Sequence, residues 1–145
     1  MSNPPIILHP TDFSQPCEEA FRVACALAKD HAARLSIVHV AVGPPIAPVH
    51  MPVSPPLPDD PQAKLEEMLH RFQATAPGLQ GDYRISNGPA ATAIVAAAKE
   101  LQAELIVMGT HGRTGLSRMI LGSVAEQVLR TAPCPVITVR AVLSA

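Results

Sequence analysis

Five short apolar runs, separated by segments of helical period, constrain the fold of this chain more than any other feature. Ile6-Ile7-Leu8, Leu35 to Val42, roughly Asp82 to Ser86, Leu105-Ile106-Val107-Met108 and Val136-Ile137-Thr138-Val139 read as strands. The first and fourth are apolar throughout, as expected of parallel strands covered on both faces. The second is rich in β-branched residues. The third is the weakest, with Tyr83 and Ile85 on one face. Between the strands, apolar positions recur at helical spacing in Phe21, Ala24, Cys25 and Ala28, and again in Leu65, Met68, Leu69 and Phe72. An alanine-rich segment follows with Ile94, Val95 and Leu101, then a last one with Val124, Ala125, Val128 and Leu129. Ser14 is placed to cap the first helix, with Pro16 in its first turn and Glu18 and Glu19 near its positive end. Pro77-Gly78, Asn87-Gly88-Pro89 and Pro133-Cys134-Pro135 punctuate the rest. The order β-α-β-α-β-α-β-α-β predicts an α/β fold: a doubly wound, five-stranded parallel sheet with helices on both faces, in one domain over residues 1–145. Residues 43–62 stand apart, because eight of these twenty are proline, and they read as a loop insertion.

The fourth strand runs into Gly109-x-x-Gly112, and nine residues later Gly122-Ser123 opens the last helix. Glycines let backbone N–H groups approach a ligand with no Cβ in the way. A helix starting at Ser123 adds its own unpaired N–H groups and the positive end of its dipole. Strand, glycine turn and helix N-terminus together predict a phosphate site. Ser123 and Glu126 also form an S-x-x-E capping box, which is compatible with phosphate binding because a hydroxyl both accepts and donates. Thr11-Asp12 follows the first strand, and ligands of open sheets bind beyond the carboxyl ends of the strands where the winding reverses. If strands one and four are neighbours, both loops face one crevice. Asp12 then reads either as a turn residue bonded to its own backbone or as a ligand contact across from the glycines. Arg113 and Arg118 are candidate partners for phosphate charge, or solvated cations.

Composition excludes several classes of function. Eleven basic residues face 12 acidic ones, with no basic stretch to follow a nucleic-acid backbone, and the chain holds three Phe and one Tyr for base stacking. Nucleic acid is not an expected partner. No apolar run reaches the roughly 18 residues of a membrane span. Met1-Ser2-Asn3-Pro4-Pro5 lacks the basic and apolar regions of a signal peptide, and Cys17, Cys25 and Cys134 read as reduced thiols. A cytoplasmic location is expected. The six histidines show no metal-ligand spacing, so His9 and His39 read as structural residues and no protein-built metal site is expected. A Mg²⁺ or Mn²⁺ ion carried on a triphosphate needs few protein ligands and fits better.

The whole chain resembles the universal stress protein family. Pro10-Thr11-Asp12-Phe13-Ser14 resembles its opening motif, Val38-His39-Val40 its second strand and Cys134-Pro135-Val136 its final strand entry, while Met108-Gly109-Thr110-His111-Gly112-Arg113 and, nine residues after Gly112, Gly122-Ser123-Val124-Ala125-Glu126 match its signature without a gap. The resemblance implies a Rossmann-like sheet of order 3-2-1-4-5, of the adenine-nucleotide alpha-hydrolase-like type, and a homodimer paired through the final strand. It implies ATP as ligand, since the intact G-x2-G-x9-G-S signature goes with members that bind it. It further implies that Asp12 contacts the adenosine portion, foremost a ribose hydroxyl, that Thr11 sits beside the phosphates or the ribose, and that Val40 offers backbone groups to the adenine edge. Gly109, Gly112, Gly122, Ser123 and Val124 would hold ribose and phosphates, and Met108 and Arg113 belong to the same binding set without an assigned side-chain role. The expected role is a nucleotide-dependent regulatory module of the stress response, acting on an unidentified protein partner. The rival is an enzyme acting on the γ-phosphate. No G-x-x-x-x-G-K-[ST] loop is present and no residue stands out to orient a water, so no catalytic residue is assigned and slow hydrolysis is the most expected. A dimeric scaffold with an empty pocket is the third reading.

Overall fold

The computed structural model describes residues 3–41, 60–110 and 121–140. The elements follow the expected alternation: β1 (Ile6–Thr11), α1 (Gln15–His31), β2 (Arg34–Ala41), α2 (Pro61–Thr75), β3 (Gly81–Asn87), α3 (Ala90–Leu101), β4 (Leu105–Gly109), α4 (Ser123–Thr131) and β5 (Val136–Val139). All strands pair in parallel, in the order β3-β2-β1-β4-β5. Successive strand residues point to opposite faces, and this period divides the core in two. Ile7, Leu35, Ile37 and Val107 pack with Phe21 and Ala24 of α1 and Leu65 and Phe72 of α2. Leu8, Val38, Val40, Ile106 and Met108 pack with Ile94 and Ala98 of α3 and with Ala125 and Val128 of α4.

Helix α2 lies close on β3 because Gly81 has no side chain. A Cβ there would stand 2.7 Å from Leu69 Cδ1 and 3.1 Å from the Leu35 carbonyl oxygen. At the start of α1, Ser14 takes the cap position with extended backbone, but its hydroxyl makes no cap bond. Its own N–H instead donates to Asp12 Oδ1 at 2.9 Å, so the cap expected of the Ser14 side chain is replaced by a turn held from Asp12. Most of the proline-rich segment 43–62 lies outside the described residues. Its end is described: Pro61 opens α2 behind Asp60, whose carboxylate accepts the Gln62 N–H.

The largest departure from the sequence reading is β1, which continues past Leu8 through His9, Pro10 and Thr11. It pairs with β2 over its whole length, Ile6 opposite Arg34 to Thr11 opposite His39. With β4 it pairs only at Ile7–Leu105 and Leu8–Ile106. Pro10 has no N–H for a ladder bond. One side-chain bond spans the two strands there, from His9 Nδ1 to the Val107 carbonyl at 2.9 Å. A carbonyl only accepts, so Nδ1 carries the proton. The ring is fully buried, lies 5.7 Å from the Phe21 ring and leaves Nε2 without a partner. His39, at the other side of β1, bonds the Thr11 carbonyl through Nδ1 at 3.0 Å. Both histidines make structural bonds to backbone carbonyls, although His9 is satisfied at only one nitrogen and His39 also lines a cavity at the strand ends.

Burial holds the His9 pKa down at about 4, against an ordinary 6.5. Below pH 6.5 the unfolded chain takes up a proton that the folded chain refuses, so stability rises with pH across this window. The contribution is intact above about 6.5 and is lost as the pH falls to about 4, on the order of 3 kcal/mol in all. Urea unfolding between pH 7 and 4 is expected to show this extra loss in the wild type. His9→Gln keeps a donor for Val107 without titrating and should lack it, and equal slopes for the two proteins would refute the assignment.

Candidate functional site

Beyond the last β1–β4 pair the strands part, and a cavity of about 470 Å³ opens at their carboxyl ends. That volume falls within the roughly 300–1,000 Å³ usual for small-molecule sites. The loops expected to face one another do so. Thr11 and Asp12, Gly109 and Thr110, and Gly122, Ser123 and Val124 all line it, together with Val40 and Met108. Eight of the ten residues singled out in the sequence therefore meet at one place. Gly112 and Arg113 lie outside the described residues, as do His111, Gly115 and Arg118.

The Asp12 side is built by short-range bonds. Thr11 Oγ1 accepts the Phe13 N–H at 3.0 Å, and Asp12 Oδ1 accepts the Ser14 N–H at 2.9 Å. These bonds turn the chain sharply enough to put Phe13 at φ 65°, a left-handed conformation rare for a bulky residue. The Phe13 ring is held by the His39 ring at 4.5 Å and by the Lys64 ammonium 5.0 Å from its centroid. Asp12 is thus a turn residue and a cavity residue at once.

The opposite side is closed by backbone. The Thr110 N–H donates to the Val139 carbonyl at 3.0 Å, and the Gly122 N–H donates to the Thr110 carbonyl at 2.7 Å. The second bond pins together the two ends of segment 111–120 and draws Gly109 and Gly122 to one point. It also engages the Gly122 N–H. The donors that α4 aims into the cavity are therefore those of its first turn, from Ser123, Val124 and Ala125, which have no intrahelical acceptor. The capping-box reading is corrected here. Gly122 is the cap residue and Ser123 the first helical one, with no side-chain cap bond. The Glu126 carboxylate takes Arg130 at 2.7 Å instead of reaching back.

Among the described lining residues Asp12 is the one carboxylate, and no Lys or Arg is present. Sequence reasoning missed Cys17, Thr110, Ala90 and Ile94 as cavity residues. Ala90 and Ile94 belong to the first turns of α3, directly after the Asn87-Gly88-Pro89 break that starts it at the carboxyl end of β3. Cys17 sits in the first turn of α1, and its thiol donates to Asp12 Oδ1 at 3.0 Å. No group of three or more metal-ligating side chains gathers among the described residues, and no helix among them is long and apolar enough to cross a membrane.

A parallel sheet of this order, with its cavity where the winding reverses, is a doubly wound α/β protein with the cavity in the position where such sheets take ligands. The sequence pattern of the universal stress protein family matches residues 5–140, and the chain belongs to that family. A universal stress protein of Methanocaldococcus jannaschii is 36% identical over 139 residues, covering 92% of this chain and 81% of the relative. The solved universal stress protein of Lactobacillus plantarum superposes with a TM-score of 0.71 at 27% identity, over 97% of this chain and 100% of that one. A universal stress protein solved in complex with cAMP superposes with a TM-score of 0.72 at 26% identity, again over 97% and 100%.

Because the Ser123 hydroxyl caps nothing, Ser123→Ala is expected to change the unfolding free energy by less than about 0.5 kcal/mol, where loss of a working cap costs about 1 kcal/mol. Urea midpoints of the two proteins decide the point.

Proposed function

We propose that this protein binds an adenine nucleotide, ATP in the first instance, as a regulatory module of the stress response. The observation that carries the reading is the pairing across one cavity of the Asp12 carboxylate with the free first-turn N–H groups of α4. A nucleotide offers groups complementary to both ends, hydroxyls to a carboxylate and phosphate to a helix N-terminus. The relative solved with cAMP supports an adenine nucleotide as the ligand class. In this reading Asp12 accepts from a ribose hydroxyl with Thr11 beside it, and Val40 meets the adenine edge through its backbone. Met108, Gly109, Ser123 and Val124 surround ribose and phosphates, and Gly122 keeps the approach open. Gly112 and Arg113 complete the phosphate end, and Mg²⁺ or Mn²⁺ on the phosphates offsets charge that no described Lys or Arg meets.

The module acts by binding. A nucleotide that prefers one conformation of a pair shifts the population by its differential affinity, and no chemical step is needed. Beyond Asp12 no carboxylate among the described lining residues is available to activate a water, which supports slow hydrolysis at most. The edge strand β5, with Ile137 exposed, leaves backbone groups and apolar surface for a second copy of the chain. Cytoplasmic residence agrees with three free thiols.

Calorimetric titration of ligand-stripped protein with Mg-ATP is expected to give micromolar binding with negligible phosphate release. Gly122→Val, folded by circular dichroism, should not bind, and Asp12→Ala should weaken adenosine and ATP alike. Wild-type affinity in a folded Gly122→Val protein would overturn the site, and steady phosphate release would make the protein an enzyme.

A further inference from the structure

We propose that Cys17 is a positioning residue of this cavity: its thiol fixes the Asp12 carboxylate in the orientation that meets a nucleotide's ribose. The assignment rests on the nucleotide reading above and names a residue which that reading does not require. Cys17 lies in the first turn of α1, and helical side chains lean toward the N-terminus of their helix. Its sulfur therefore falls back over the turn from Asp12 to Ser14. Two donors from different elements converge on Asp12 Oδ1, the Ser14 N–H at 2.9 Å and the Cys17 S–H at 3.0 Å. The first belongs to the turn itself. The second comes from the helix and fixes the carboxylate plane against a rigid element.

Cys17 is 7% exposed and lines the cavity, so it borders the space the ligand would fill. Burial, reinforced by the neighbouring Asp12 charge, pushes the thiol pKa up to about 11. Cys17 is consequently a permanent hydrogen donor at neutral pH, and the thiolate needed for nucleophilic or redox chemistry is suppressed. A hydroxyl in its place donates too, whereas alanine ends at Cβ and offers no donor.

The test uses the ligand-stripped protein titrated with adenosine and with Mg-ATP. Cys17→Ala is expected to weaken both by about three- to tenfold, the effect of losing one weak donor to a charged acceptor. Cys17→Ser should stay within about twofold of wild type. In an Asp12→Ala background Cys17→Ala should add nothing, because the group it positions is gone. Infrared spectra of the nucleotide-free protein give an independent reading. The S–H stretching band lost in Cys17→Ala should move to higher frequency in Asp12→Asn. Wild-type affinity in Cys17→Ala, additive losses in the double variant, a serine as impaired as the alanine, or an unmoved S–H band would each overturn the role of Cys17. A wild type that binds neither ligand would instead overturn the nucleotide reading, and the assignment with it.

Discussion

The parting of β1 from β4 after Leu8 and Ile106 is the constraint on which the rest of the molecule depends. The winding reverses between these two central strands, and their parting there widens the crevice at which their loops meet. Pro10 removes the donor that would continue the ladder, and His9 spans the strands with a side chain at the level of Val107. Such a bridge is more costly than a backbone bond, because it carries a buried imidazole whose second nitrogen has no partner. In return the strand ends are separated by a fixed amount, with the ring set against Phe21 on the α1 side and the opening beyond it. The N-termini of α1 and α4 then face the same space from opposite sides.

The two sides of that space are built by different means. The Asp12 side is a turn in which side chains do the bonding, tight enough to hold Phe13 in a conformation that costs of order 1–3 kcal/mol and persists only because its surroundings over-determine it. His39 and Lys64 supply part of that support from β2 and α2, so the turn is tied to three elements at once. The glycine side is backbone on backbone, with Thr110 bonded at its N–H to β5 and at its carbonyl to Gly122. The Gly122 N–H, which the glycine spacing alone would aim at a phosphate, is spent on holding the loop ends together. The donors that remain belong to the helix.

Legibility in the sequence followed the type of force involved. Strands made by continuous burial, such as Leu105 to Met108, were plain because apolar runs and glycine stops mark them. Residues 9–11 of β1 were not, since His9, Pro10 and Thr11 are neither apolar nor β-periodic and are buried by specific hydrogen bonds to Val107, Phe13 and His39. The glycine and Asp12 loops were legible as a pair because both follow strands at the same end of the sheet. The S-x-x-E pattern misled by one residue. It marks a helix start but cannot tell that Gly122 takes the extended cap backbone and Ser123 the first helical place. Cys17 escaped notice because cysteines were read for disulfide and metal spacing, and a thiol that donates to a carboxylate five residues away leaves no such pattern.

Electrostatics give the cavity a direction. Asp12 leads into α1 on one face of the sheet, and the first turn of α4, with a dipole worth roughly half a positive charge, starts on the other, both lining the cavity. A phosphate set beside Asp12 meets like charge in a partly desolvated space, which costs several times what it would in water. Set beside Ser123 and Val124, it meets donors with no other acceptor. Under the proposed function, a nucleotide entering the wrong way round would be rejected at both ends, since its hydroxyls would leave those N–H groups without a charged acceptor. On that proposal orientation would follow from one carboxylate and one helix terminus, and the apolar lining of Val40, Met108 and Ile94 would have only to accept a flat, weakly polar base.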